Sequence, residues 1–258
     1  MTYPIFDSHA HYDSHKFEPD RDEVLASLPE QGVNWVINCG TDVDSSELSM
    51  TLAEQHDHVW FAAGFHPHEA EHWDDAAEAR IRELLTHPKC VAVGEIGLDY
   101  HYDFSPRDIQ REVLRRQLTI AAELGKPVIL HDREAHGDMY DMLREFAPLR
   151  GVMHCFSGSV ELMEDSVRMG LHIGLGGSVT FKNARHPVEV AAATPLDRLL
   201  LETDCPYMAP VPHRGERCQS PMIAIVAEKI AEVRGMEAEE LLRVAAKNAS
   251  ELFGIMVM

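Results

Sequence analysis

The chain has 258 residues, 45% hydrophobic and 26% charged, which is long enough for a large buried core in one or two domains. Its formal net charge of −20 excludes broad electrostatic binding of duplex DNA, which needs many Lys and Arg at phosphates; a local cationic pocket, or positive charge brought by a bound metal, is not excluded. No apolar run approaches the ~18 residues of a membrane span, and the N-terminus lacks the basic and apolar regions of a signal peptide. The five cysteines, Cys39, Cys90, Cys155, Cys205 and Cys218, are odd in number and form no Cys-x-x-Cys, so reduced thiols in a cytoplasmic protein are expected.

In chain order, short apolar runs alternate with amphipathic stretches. The runs are Tyr3–Asp7, Val33–Cys39, Val59–Gly64, Cys90–Glu95, Val128–His131, Gly151–Phe156, Leu171–Leu175 and Leu199–Asp204, each of strand length and rich in strand formers or buried residue types. Helical patterns cover Arg21–Gly32, Ser45–His56, Ala76–Thr86 and Arg107–Gly125, the last ended by its glycine. Further ones follow at Asp138–Phe146 and Val160–Gly170, and Pro221–Gly254 reads as two helices split at Gly235. Near-continuous apolar strands in βα units imply a parallel sheet with helices outside. Eight such units at about 250 residues predict an α/β fold, a (β/α)8 TIM barrel, with residues 1–258 as one domain. A doubly wound open sheet is the alternative, but no Gly-x-Gly-x-x-Gly follows the first run.

With 16 histidines, roughly one His-x-His is expected by chance, and the chain has three: His9/His11, His56/His58 and His66/His68. Position separates them. Active sites of such barrels lie at the C-terminal ends of the strands. His9 and His11 lie just past the first run, Glu95 ends the fourth, His131 ends the fifth, His154 lies near the end of the sixth and Asp204 ends the eighth. Six residues with metal-binding side chains from five separated strands therefore share one face. Buried carboxylates are costly unless paired or ligated, so a divalent-metal site is expected. Glu202 shares the face of Asp204 and is either an orienting partner behind the ligands or half of a buried ion pair. His56 and His58 fall on the opposite side and read as surface residues. His66 and His68 are at the correct end, but Pro67 between them breaks strand geometry, so substrate contact is expected of them rather than metal binding. Strand alternation turns Cys155 and Cys205 toward the helices as packing residues. Asp99 and Tyr100 follow Glu95 without an assignable role.

The segments FDSHAH, GFHPH, VGEIGLDY, ILHDREA, HCFSGS, GSVTFKN, LLLETDCPYMAP and PVPHRGER, with the terminal AKNASELFG, resemble the TatD-type metal-dependent hydrolases, a branch of the amidohydrolase-like barrels. The resemblance spans nearly the whole chain, in family order and spacing. It implies a site for two divalent cations (Zn, Mn or Mg): His9 and His11 with Asp204 on one, His131 and His154 on the other, and Glu95 bridging both. Family members are described as deoxyribonucleases, some acting on 3′ ends, and some remove D-amino acids from tRNA. The family's usual Asn, then Glu or Gln, after HRGER is replaced here by Cys218 and Gln219, which puts substrate preference in question if that segment lines the pocket mouth.

The resulting expectation is a metal-dependent deoxyribonuclease cleaving phosphodiester bonds at DNA ends by a hydroxide activated between two ions, with catalytic Glu95 and Asp204. His66, Arg133, Lys182 and Arg214 are expected to contact substrate, because they sit at the catalytic face. The alternative is an ester or amide hydrolase such as a D-aminoacyl-tRNA deacylase, and a third reading is a non-catalytic nucleic-acid-binding barrel. Neither a membrane nor an obligate protein partner is expected.

Overall fold

A computed structural model describes residues 4–256. The fold is a (β/α)8 barrel: eight parallel strands in sequential order, β1 Ile5–Ala10, β2 Val33–Cys39, β3 Val59–Ala63, β4 Cys90–Asp99, β5 Val128–Arg133, β6 Gly151–Met153, β7 Leu171–Leu175 and β8 Leu199–Leu201. β8 returns to β1 through a bridge between Ala10 and Cys205, and His11 N–H donates to the Cys205 carbonyl at 2.7 Å. The helices are α1 Arg21–Ser27, α2 Val43–Gln55, α3 Asp75–Leu84, α4 Arg107–Leu124, α5 His136–Phe146, α6 Val160–Arg168, α7 Arg185–Ala193, α8 Ile223–Arg234 and α9 Ala238–Phe253. No helix among the described residues is long and apolar enough to cross a membrane.

Local chemistry sets these limits. Asp42 and Ser45 form a reciprocal capping box at the start of α2, and Asp74 and Ser159 accept from the first-turn amides of α3 and α6. Gly125 takes a left-handed conformation (φ 63°) to end α4 where its apolar face stops. α7 carries no helical pattern named from the sequence; its Pro187 is tolerated because it lies in the first turn, where amide hydrogens have no partner within the helix.

Alternating strand residues divide the core. Phe6, Ile37, Ala62, Ala92, Ile129, Val152 and Leu200 form one buried cluster with Leu252, Phe253 and Ile255 from the end of the chain. Phe253 lies 6.5 Å from Phe6, so the last turn of α9 plugs the barrel at the N-terminal ends of its strands. The opposite strand faces pack on the helices with Phe61, Leu130, Ile173 and Leu201. Each such fully buried side chain contributes about 1.5–3 kcal/mol, and closure of the lower end leaves the C-terminal mouth as the open face.

Several strand limits differ from those expected. The first run was placed from Tyr3, which lies outside the described residues; β1 extends to Ala10, so His9 is within it. β4 continues to Asp99, with a register irregularity against β5 between Val93 and Ile96 that brackets Glu95. β6 and β8 stop at Met153 and Leu201, so His154 and Asp204 lie on the first residues of loops. Asp204 has a left-handed backbone (φ 57°).

Candidate metal centre

Glu95 is buried at the centre of the mouth, and its two oxygens face different histidines. Oε2 lies 3.3 Å from His9 Nε2 and 3.4 Å from His11 Nε2. Oε1 lies 2.9 Å from His131 Nδ1, 2.9 Å from His154 Nε2 and 3.6 Å from His66 Nε2. Asp204 Oδ1 completes the first side, 3.5 Å from His11 Nε2 and 3.9 Å from His9 Nε2. The nitrogens of His9 and His11 point at each other across 3.0 Å, as lone pairs aimed at one point do. Donor atoms gather within 4.8 Å of one another in three triads: His9, His11 and Glu95; His66, Glu95 and His131; and His9, His154 and Asp204. The six residues expected as ligands are thus brought together, with His66 beside them.

Each imidazole is also fixed from behind. His11 Nδ1–H donates to the Cys39 carbonyl at 2.9 Å, freeing Nε2 as a lone pair toward Glu95. His9 Nδ1 lies 3.5 Å from Cys39 Sγ. His131 Nε2–H donates to Asp99 Oδ2 at 3.1 Å, which turns Nδ1 inward. Glu202, fully buried, stands 3.4 Å behind His154 Nδ1 and accepts the Cys155 amide. At His11 and His131 a hydrogen bond on the far nitrogen sets tautomer and ring direction, as in histidines that bind metal, while His154 has the Glu202 carboxylate behind it. His66 is the exception. Its Nδ1 accepts the His68 amide at 3.1 Å, so the neutral ring carries its hydrogen on Nε2, the atom aimed at Glu95. His66 therefore presents a donor where the others present a lone pair.

Charge is strongly coupled in this space. Burial raises the carboxyl of Glu95, but His154, His66 and His9 outweigh it and hold the group well below the usual range. Burial lowers His11 and His154, and the facing carboxylates reverse this and push both well above 6.5. Burial wins at His9, which is lowered, and at His66, held well below its usual value. For Asp99 and Asp204 burial is again outweighed, by His131 and His68 for the first and His11 for the second, and both acids are lowered. Protons on imidazoles thus balance carboxylates that a cation would otherwise neutralise. His154 Nδ1 and Glu202 Oε2 are buried without hydrogen-bond partners. A donor set of imidazoles and carboxylates around a shared carboxylate fits divalent ions of the Zn or Mn type.

The expected substrate contacts lie further out. Arg133, at the end of β5, is exposed, and its guanidinium lies over the Tyr102 ring at 4.8 Å. Arg214 stacks on Phe181 at 3.8 Å and Lys182 is exposed beside Phe181. None of the three has a hydrogen bond or ion pair to the cluster among the described residues. Three expectations from the sequence are corrected, and one unassigned residue gains a role. Cys155 does not turn away from the cluster: β6 has already ended, its backbone is left-handed (φ 43°), and burial together with the charges of Asp204, Glu202 and Glu95 raises its thiol. Cys218 does not face the mouth; its thiol is buried, and burial with the nearby Asp7 pushes it up to about 12. His56 and His58 are half-buried rather than exposed, because the His58 ring reaches under α1 to donate to the Leu25 carbonyl at 3.1 Å. Asp99, given no role from sequence, holds both His131 and His68, the latter at 2.9 Å. A carboxylate ending the apolar run IGLD was the available signal.

Barrel, ligand-bearing strand ends and oriented histidines define a metal-dependent hydrolase. The family described as TatD related DNase matches residues 6–254, and the chain belongs to it. It is 41% identical over 253 residues to the uncharacterized metal-dependent hydrolase YabD of Bacillus subtilis, covering 97% of this chain and 99% of that one. It is 38% identical to the 3′-5′ ssDNA/RNA exonuclease TatD of Musicola paradisiaca, covering 96% and 97%. The crystal structure of YjjV, a TatD homologue from Escherichia coli, superimposes with a TM-score of 0.93 at 33% identity, covering 99% of this chain and all of that one.

Proposed function

We propose that this chain, acting as one barrel domain in the cytoplasm, is a divalent-metal-dependent nuclease that hydrolyses phosphodiester bonds at the 3′ end of DNA. The observation that carries the reading is the divided carboxylate of Glu95, one oxygen toward His9 and His11 and the other toward His131 and His154. In this arrangement His9, His11 and Asp204 would hold one ion and His131 and His154 a second, with Glu95 available to both. The imidazole-rich set suits Zn²⁺ or Mn²⁺ better than Mg²⁺. Two divalent ions, when bound, supply Lewis-acid charge for the phosphoryl oxygens and lower the pKa of the attacking water.

The protein's own groups do the rest. Cys39, Asp99 and Glu202 keep the imidazoles in their binding tautomers, so no reorganisation is needed when substrate arrives. Asp204, whose side chain is 19% exposed, orients the attacking water and takes its proton at the carboxylate. His66 Nε2–H donates to a phosphate oxygen or to the leaving oxygen. Arg133, Lys182 and Arg214 hold flanking phosphates at the rim. Similarity to a relative named as a single-strand exonuclease supports this choice of substrate.

The test is a substrate panel with added Mg²⁺, Mn²⁺ or Zn²⁺, comprising 5′-labelled single-stranded DNA, duplex DNA, RNA and D-aminoacyl-tRNA. Stepwise shortening from the 3′ end, abolished by EDTA and reduced at least ~100-fold in Glu95→Ala, is expected. Equal cleavage with chelator present, full activity of Glu95→Ala, or turnover of the aminoacyl ester alone would refute the nuclease mechanism.

A further inference from the structure

The exposed Phe, Tyr and Trp side chains among the described residues are Tyr102, Phe104 and Tyr207, at 48%, 63% and 46% exposure. All three lie in loops leaving the C-terminal ends of strands, Tyr102 and Phe104 after β4 and Tyr207 after β8. The other Phe, Tyr and Trp rings among the described residues are buried or partly covered, and the collection of these three on the catalytic face points to a ligand. Tyr102 and Phe104 stack on each other, with ring centroids 5.3 Å apart and an interplanar angle of 27°. Cations accompany the rings: Arg133 lies over Tyr102 at 4.8 Å and Lys16 over Tyr207 at 4.5 Å.

The stack is joined rigidly to the metal centre. His68 meets Phe104 edge-on at 4.8 Å and Tyr102 at 5.4 Å. The same ring bonds Asp99, which bonds His131. Asp99 Oδ1 also accepts the amides of His101 and Tyr102, each at 2.9 Å, fixing the loop that carries the stack. From the His131 ring to Phe104 is two ring-to-ring steps, of 6.4 and 4.8 Å, by way of His68.

We propose that Phe104 and Tyr102 form a base-stacking subsite for a single-stranded nucleic acid whose terminal phosphodiester reaches the Glu95 cluster. This rests on the nuclease reading above and identifies how the strand is held. A protein of net charge −20 repels a polyanion over most of its surface, so counterion release at the few phosphates met by Arg133, Lys182 and Arg214 leaves much of the affinity to other contacts. Stacking on aromatic faces is independent of that charge and tolerant of sequence, and a guanidinium beside the ring adds attraction where a phosphate follows the base. Duplex DNA, with its bases already stacked internally, gains nothing from the platform.

The experiment compares wild type, Phe104→Ala, Tyr102→Ala and Phe104→Trp on an oligothymidylate and on an abasic strand of the same length, with Mn²⁺ present. Wild type is expected to prefer the base-bearing strand. Phe104→Ala should raise KM for that strand about fivefold or more and close the gap to the abasic strand, Tyr102→Ala should act in the same direction, and Phe104→Trp should restore the preference. If wild type degrades no strand, the nuclease reading falls and this subsite with it. If wild type degrades strands and Phe104→Ala keeps both its KM and its preference, the subsite alone is overturned. Sizing of the same samples covers the other occupant: a dimer lost in Phe104→Ala with an unchanged KM would place a second copy of the chain on the platform and refute the proposal.

Discussion

Gly174→Ala tests whether the Glu202 carboxylate, held against the inner face of β7, orients the metal centre. A methyl at this position would lie 2.3 Å from Glu202 Oε2, 2.9 Å from its Cδ and 3.2 Å from His154 Cα. Ordinary contacts begin near 3.4 Å, so the carboxylate must retreat by about 1 Å. Glu202 has no slack: it is fully buried, accepts the Cys155 amide and backs His154 Nδ1. Losing a hydrogen bond to a buried charge costs about 1.5–3 kcal/mol, and the overpacking itself costs about 1–3 kcal/mol. The sum, about 2.5–6 kcal/mol, corresponds to a fall of roughly 5–24 °C in Tm for a chain of this size. The diagnostic effect is on metal. Disturbing the group behind a ligating histidine weakens metal binding or activity about 10–100-fold. Competition with a chromophoric chelator, well below the melting temperature, reads this directly. Metal affinity within twofold of wild type in a folded Gly174→Ala protein would refute the assignment of Glu202 as the group that positions His154.

Three further outcomes are expected. Metal binding should release protons, because His11 and His154 hold theirs above the usual histidine range and must lose them to bind; affinity then weakens as pH falls below neutral, and titration calorimetry in buffers of different ionisation enthalpy should show it, whereas identical heats in all buffers would contradict it. Lys89→Met should destabilise without touching the metal centre, since the ammonium donates to the carbonyls of His56 and Val59 at 2.9 and 3.2 Å at the lower end of the barrel; a Tm loss of several degrees at wild-type metal affinity is expected in thermal unfolding. Gly137→Ala, at an exposed position in α5 with nothing within 4 Å of the new methyl, should stabilise by about 0.5–1 kcal/mol, and a lower Tm would show that the helix needs glycine there.

The barrel and the ligand-bearing strand ends were legible because they depend on residue type and period: apolar runs, then His or an acid where each run stops. What surrounds the ligands was not. The partners that orient His9 and His11 are a thiol and a backbone carbonyl of Cys39, and a carbonyl leaves no mark in the sequence. Asp99 was in view but only the extension of β4 past Glu95 gives it a direction. Cys155 was misplaced because alternation was carried past the end of the ladder, where a left-handed residue resets which way side chains point. Cys218 differs for a related reason: it follows the exposed stretch Arg214–Glu216, while its amide donates to the Pro206 carbonyl at 3.1 Å and pulls it inward. The donor character of His66 follows from one backbone amide and could not be read from GFHPH.

The seam where β8 returns to β1 also sets when the protein can act. His9 and His11 are made before the seven later strands, while Asp204 and the bridge partner Cys205 follow the last of them. Without these residues the seam between β8 and β1 cannot close, and without Phe253 against Phe6 the lower end of the barrel is not plugged. Assembly of the ligand set thereby depends on both the first and the last strand, so that a product stalled before β8 carries most of the ligand residues yet cannot bring them together.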